Sequence, residues 1–409
     1  MKRFIFSILL LYFFSVNFSY CKIFIVPSND DFEIAVCSDA DIKSWQIFNE
    51  WNKKIHLFNI VNDGLDNFDV TFNKPNTEFI FTGDAMGGLD SIKILNLFVY
   101  LKNKYPNRIH LVLGNQEINK LRLLLELSNE VLTCNNKNQF SLDQRVEEWK
   151  DDFKRWRKSY KNIIDNDRLL KFKWIFSTFI NPDAFENFKK EIDVPTEKEA
   201  CEYYMSLFAS EKLFSTYFSL LQSIYYNEKA GILCQHGTVN QLNFGSVIGE
   251  QSYAMPIETM EDLKVYAEVQ NEAVAQIIKN VLNGNPIEAL QLIKSQEQKV
   301  IEQSGKTSWS KASYPGSFLR RERDEKGDLI PMPSEFEAQL SRFVNIIFYG
   351  HIPPKDGPIL VKSRKPGKHS EDENKKHEIV LNRGTLFIIP EAAMPAHKAT
   401  DTLFEIFTR

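Results

Sequence analysis

The chain has 409 residues, of which 43% are hydrophobic and 25% charged, with a formal net charge of −4. That is the balance of an ordinary globular protein, and it excludes the strongly basic composition of a nucleic-acid or anionic-membrane binder. The 32 phenylalanines imply a large aromatic core, and five cysteines are too few for a disulfide-built fold.

Lys2 and Arg3 precede an apolar stretch, Phe4 to Phe14, that is too short to span a bilayer and runs into small and polar residues up to Cys21. This is the layout of a secretory signal peptide over residues 1–21, with cleavage expected between Ser19 and Lys22 and an uncleaved anchor as the alternative. The expectation is a secreted or extracytoplasmic protein without a stable membrane span. Cleavage would leave Cys37, Cys134, Cys201 and Cys234, an even number that permits disulfides. Cys37 and Cys234 lie near the ends of expected core strands, where they either pair or fill space as small apolar residues.

Five short apolar runs follow in order: Phe32 to Cys37, Glu78 to Thr82, Ile109 to Leu113, Gly231 to Cys234 and Asn345 to Tyr349. Each is rich in Ile, Val, Leu and Phe and stopped by Gly, Asn or Asp, so each reads as a buried strand. Each is also followed by groups able to bind a metal ion: Asp39 and Asp41, then Asp84, then Asn115-Gln116-Glu117, then His236, and last His351. Open α/β sheets place their ligands beyond the carboxyl ends of the strands, so these groups are expected to gather along one edge. The competing readings are that Asp39 and Asp41 form only a turn, and that His236 and His351 are structural. His56, His110, His369, His377 and His397 lack such a context and read as surface or packing histidines.

A helix is expected after Glu117, carrying Arg122. Between residues 139 and 227 the chain is helical in character, with Val146, Trp149, Phe153 and Trp156 at helical spacing. This stretch reads as a cap docked beside the site. A second insertion spans residues 257–333. It begins with helices broken at Asn283-Gly284-Asn285-Pro286 and ends in a loop rich in Gly, Ser, Pro and charge that holds Arg320, Arg321 and Arg323. Lys362 to Lys376 reads as an exposed hairpin tip, and strands Ile379 to Leu381, Thr385 to Ile389 and Leu403 to Phe407 as the close of the fold. Because groups from residue 39 to residue 351 must meet, a single catalytic domain over residues 30–409 is expected, with insertions rather than separate domains.

The ordered blocks Asp39-Ala40-Asp41, Gly83-Asp84, Gly114-Asn115-Gln116-Glu117, His236-Gly237 and Gly350-His351 resemble the signature of the calcineurin-like metallophosphoesterases, and most closely the phosphoprotein phosphatases. The resemblance implies an α/β fold of the metallophosphoesterase type, a two-sheet β-sandwich core flanked by helices. It implies two divalent metal ions bridged by Asp84, one held by Asp39 and Asp41 and the other by Asn115, His236 and His351. The implied reaction is hydrolysis of a phosphorylated substrate, protein or small molecule, at a dinuclear site.

Three departures shape the expectation. The family has His where this chain has Asp41, which makes one metal site all oxygen and favours Mn²⁺ or Mg²⁺ over Fe or Zn. It has His, the donor of a proton to the leaving oxygen, where this chain has Gln116, and an amide has no proton to give. That favours aryl or phosphotyrosine-like substrates, whose leaving oxygen is already stable as an anion. The arginine of the family's second block is absent, leaving Arg122 and Arg383 as candidates to grip phosphate, with Glu117 to orient a water or brace the site. Two alternatives remain open: an impaired pseudophosphatase that acts as a binding protein, and a haloacid dehalogenase-type phosphatase with Asp39 as nucleophile.

Overall fold

The computed structural model describes residues 23–27, 33–37, 45–64, 67–87, 91–128, 167–175, 184–229, 231–237, 239, 244–248, 253–289, 291–292, 300–301, 307–308, 339–340, 342, 344, 346–349 and 386–388. The fold is mixed α/β. Its first sheet has five strands in the order β1-β2-β5-β6-β7, formed by β1 (Ile23–Pro27), β2 (Glu33–Cys37), β5 (Thr77–Phe81), β6 (Ile109–Val112) and β7 (Leu221–Gln222). Only β1 runs antiparallel to its neighbour; β2, β5, β6 and β7 are parallel. The second sheet runs β11-β10-β9-β8, from β8 (Ile224–Asn227), β9 (Ile232–Gln235), β10 (Ile346–Tyr349) and β11 (Leu386–Ile388). Here β9, β10 and β11 are parallel and β8 is antiparallel.

All five apolar runs of the sequence are therefore strands, and each sits in a parallel array. Parallel register explains their composition, since a strand covered on both faces needs no polar alternation. Ile34, Val36, Ile80, Phe81, Leu111, Val112, Ile232 and Leu233 are all buried. Pairing of Cys37 with Phe81 and of Phe81 with Leu111 brings the carboxyl ends of β2, β5 and β6 into line. The two sheets touch where Tyr225 of β8 donates to Glu78 of β5 and lies tilted against the His110 ring of β6, centroids 4.1 Å apart.

Helices cover the sheets. α1 (Trp45–Ile55) and the β3 (Phe58–Asp63) and β4 (Phe68–Phe72) hairpin share one core with the first sheet. α2 (Ser91–Lys104) and α3 (Asn115–Glu126) bury Phe98, Leu101, Leu121 and Leu125 against it. From the helical insertion come α4 (Asp167–Ile175), α5 (Ala184–Ile192), α6 (Glu197–Ser206) and α7 (Leu213–Ser219). Their aromatic residues Phe172, Tyr204, Phe214 and Phe218 join the same core, which carries the expected weight of phenylalanine. The insertion does not stay helical to residue 227, because Leu221–Gln222 and Ile224–Asn227 are strands of the two sheets.

A smaller core lies under the second sheet, where α8 (Met260–Leu282) buries Leu263, Tyr266 and Ala267 against Leu233, Leu340 and Ile347. α8 opens on a capping box between Thr259 and Asp262 and closes before Gly284, which takes φ +97°. The expected break at Asn283-Gly284-Asn285-Pro286 is thus present, followed by a 3₁₀ turn over Pro286–Glu288. Among the described residues no helix is long and apolar enough to cross a membrane. Cys37, Cys201 and Cys234 are buried thiols, so Cys37 and Cys234 fill space rather than form a disulfide.

Candidate active site

Three strand ends build the site. After β5 the chain turns through Gly83 (φ +106°) and Asp84 (φ +67°), both in the left-handed region. Gly83 is required by close approach, since a Cβ there would lie 2.7 Å from the Gly114 Cα and 2.7 Å from His236 Nδ1. Gly114 is required for the same reason: a Cβ on it would collide with the amide and carboxylate of Asp84. Asp tolerates the left-handed conformation better than most residues with a Cβ, so Asp84 can hold its carboxylate at this turn.

Glu117 binds the two loops together. Its Oε2 accepts from the Asp84 N–H at 2.9 Å and the Gly114 N–H at 3.0 Å, and its Oε1 accepts from the Met86 N–H at 3.2 Å. Tyr217 of α7 adds its hydroxyl to Oε1 at 3.5 Å. Burial and the neighbouring Glu117 carboxylate both push the Tyr217 hydroxyl well above its usual pKa, so it remains a donor. Glu117 is fully buried and so acts as a brace. α3 begins at Asn115, three residues earlier than expected, and its second amide donates to Asp84 Oδ1 at 2.7 Å through Gln116 N–H. A carboxylate at a helix amino terminus is favoured by the helix dipole.

From the second sheet, β9 delivers His236, which has no exposed surface. Its Nδ1 lies 2.8 Å from the Thr82 carbonyl oxygen, and its Nε2 lies 2.8 Å from Asn115 Oδ1 and 3.5 Å from Asp84 Oδ1. A carbonyl can only accept, so Nδ1 carries the proton and Nε2 of the neutral ring carries a lone pair. That lone pair faces an amide oxygen and a carboxylate oxygen. With Nδ1 as the donor, these three acceptor atoms converge on one point, a place that a metal ion can occupy. The donor set of one imidazole, one amide oxygen and one carboxylate oxygen fits a divalent first-row metal, and the Thr82 carbonyl orients the imidazole as outer partners of metal ligands do. Among the described residues no three His, Cys, Asp or Glu side chains cluster as a metal group; the cluster here is one His, one Asp and one Asn.

Asp84, Asn115 and His236 thus come together, with Gln116 and Glu117 beside them. Asp39, Asp41, His351 and Arg383 lie outside the described residues, as do Arg320, Arg321 and Arg323. Arg122 is on α3, but its guanidinium is committed elsewhere: it is buried, ion-paired with Glu126 and placed over the Trp174 ring at 5.4 Å. Lys171 of α4 completes that cluster at 3.2 Å from Glu126. Arg122 therefore ties the helical insertion to α3 instead of presenting a fork to phosphate. Sequence reasoning passed over Lys120, whose Nζ donates to Gln116 Oε1 at 3.5 Å. The available signal was its spacing of four residues from Gln116, one helical turn once the helix reaches back to Asn115.

No family model matches the chain. Over 56 residues it is 41% identical to the serine/threonine-protein phosphatase PP2A-like PPG1 of Saccharomyces cerevisiae, a stretch covering 13% of this chain and 15% of the yeast protein. Over 82 residues it is 34% identical to the protein of the same name from Candida albicans, covering 20% of this chain and 19% of that protein. The chain therefore spans less than a fifth of the length of each of these curated relatives. Across those stretches it is similar to these PP2A-like serine/threonine-protein phosphatases.

Proposed function

We propose that the chain is a metal-dependent phosphoesterase acting on phosphate monoesters at the Asp84, Asn115 and His236 cluster. The observation that carries this reading is the opposition of the His236 Nε2 lone pair to Asn115 Oδ1 at 2.8 Å, beside a carboxylate that reaches the same point from another strand. The short stretches shared with PP2A-like phosphatases support the reaction class. Asp84, Asn115 and His236 would hold one divalent cation, with Asp39, Asp41 and His351 completing a two-ion site; the oxygen-rich set favours Mn²⁺ or Mg²⁺. When bound, such ions neutralise phosphate charge and make hydroxide available near neutral pH.

The chain's own groups set what the site can do. Thr82 fixes the tautomer of His236. Glu117 holds the Gly83-Asp84 and Gly114-Asn115 turns at contact distance, so the ligand atoms need no reorganisation before substrate arrives. Gln116 can donate a hydrogen bond to an oxygen but cannot transfer a proton to it. The substrate class that fits is an aryl or phosphotyrosine-type ester, protein-borne or small, in contrast to the serine/threonine specificity in the name of the yeast relatives. Export is part of the proposal and is supported by the basic-then-apolar amino terminus.

The test is hydrolysis of matched phosphotyrosine and phosphoserine peptides and of 4-nitrophenyl phosphate, with each divalent metal, by wild type and Asp84→Asn. Metal-dependent hydrolysis favouring tyrosine and lost in Asp84→Asn is expected. Retained metal-dependent phosphopeptide binding with no hydrolysis by wild type would instead make the chain a binding protein.

A further inference from the structure

Lys120 lies one helical turn beyond Gln116, on the same face of α3. Its side chain is completely buried. Its ammonium has three N–H donors and no acceptor, and among the described residues one hydrogen-bond partner, Gln116 Oε1 at 3.5 Å. Burial works against its charge, opposed by the Glu117 and Asp84 carboxylates nearby. A buried cation held this loosely is a burden on the fold, so its contribution is to be sought in the site.

The chemistry of the contact fixes the amide. An ammonium can only donate, so the Gln116 atom facing it is the carbonyl oxygen and the NH₂ group is turned the other way. The backbone of Gln116 is anchored separately, through its N–H to Asp84 Oδ1 at 2.7 Å, and its side chain is partly open to solvent. The backbone of Gln116 is thus fixed beside the cluster and its amide is oriented by Lys120, with one donor group left for an incoming anion.

Resting on the phosphoesterase reading, we propose that Lys120 is a positioning residue that locks the Gln116 amide so that its Nε2–H donates to the leaving oxygen as the ester breaks. In that step the oxygen of a water molecule forms the new bond to phosphorus and releases its proton to solvent. The bond from phosphorus to the leaving oxygen breaks, and its electron pair stays on that oxygen. The leaving group departs as an oxyanion steadied by the amide hydrogen bond, and no proton passes from Gln116. Phenolates, with conjugate-acid pKa values of about 10, suit such a departure; alkoxides do not.

The experiment measures kcat and KM on aryl phosphates of graded leaving-group pKa, with Mn²⁺ present and on the acid side of neutrality. It uses wild type, Lys120→Met, Lys120→Arg, Gln116→Leu and the Lys120→Met/Gln116→Leu double variant. Expected is a fall in kcat of about 10-fold or more for Lys120→Met on the poorest phenol leaving groups, and of less than about 3-fold on 4-nitrophenyl phosphate. Lys120→Arg recovers part of the loss, and the double variant is no slower than Gln116→Leu alone, because the two residues act as one unit. The melting temperature of Lys120→Met is expected to stay level or rise. Equal slowing of every substrate, multiplying effects in the double variant, or a Lys120→Met chain that unfolds would each overturn the proposal. A wild type silent on all aryl phosphates would remove the phosphoesterase reading and this role together, whereas an active wild type with an indifferent Lys120→Met would remove this role alone.

Discussion

His236 Nε2 stands 2.8 Å from Asn115 Oδ1 across 121 positions of sequence, while Nδ1 of the same ring lies 2.8 Å from the Thr82 carbonyl oxygen. Asp84 Oδ1, 3.5 Å from His236 Nε2, adds a negative charge. The backbone around Asp84 offers a clean way to probe this arrangement. Asn enters the left-handed region as readily as Asp, so Asp84→Asn keeps the turn and an oxygen for Gln116 N–H while removing the charge. The expected outcome is an unchanged circular dichroism spectrum and melting profile, with hydrolysis of 4-nitrophenyl phosphate reduced by at least about 10²-fold.

Glu117 should behave differently, as a residue of the fold first and of the site second. In Glu117→Gln one carboxylate oxygen becomes an NH₂ group facing backbone N–H donors, which leaves donor against donor in a buried place. A loss of about 3 kcal/mol in unfolding free energy is expected, measured by urea denaturation, together with loss of activity.

The five strands were legible because each is a continuous apolar run, the pattern of a strand covered on both faces. The block that follows each run showed where the chemistry should gather, and Asp84, Asn115 and His236 do gather. The β3 and β4 hairpin was not read, although Asp63-Gly64 is a turn signal, since Phe58–Asp63 exposes most of its polar residues and lacks a clean alternation. β7 and β8 were hidden inside a stretch whose charge and aromatic spacing favoured helix, because two- and four-residue strands carry too little periodicity to register. Lys120 drew no reading because a lysine on a helix is ordinarily solvated; in the fold both Lys120 and Arg122 are enclosed, Arg122 against Trp174 of α4.

That enclosure makes Arg122 a residue of stability. Glu126 sits between Arg122 and Lys171, all with side chains at most 6% exposed. Removing the carboxylate in Glu126→Gln strands two buried cations and should lower stability by about 3–5 kcal/mol. Arg122→Met should lower stability while leaving KM for 4-nitrophenyl phosphate unchanged; a raised KM at constant stability would return Arg122 to the role of phosphate ligand.

Lys120 also leaves a mark on stability against pH. Burial lowers its pKa from 10.5 to about 7, with Glu117 and Asp84 resisting the shift. Between those two pH values the unfolded chain holds the proton and the folded chain has released it, so this group makes unfolding free energy rise with pH. Below about pH 7 both states are protonated and the penalty of the buried charge is fully present. The difference in stability between Lys120→Met and wild type should therefore be largest below neutrality and shrink as pH rises toward 10.5, as followed by urea denaturation at a series of pH values.

The most direct measurement is a Mn²⁺ titration by calorimetry and thermal shift on wild type, His236→Ala and Asp84→Asn. The account predicts saturable binding by wild type, a stabilisation of about 2.7 kcal/mol at a hundredfold excess over Kd, and loss of that binding in both variants. Equal Mn²⁺ binding by all three chains, or none by wild type, would contradict it.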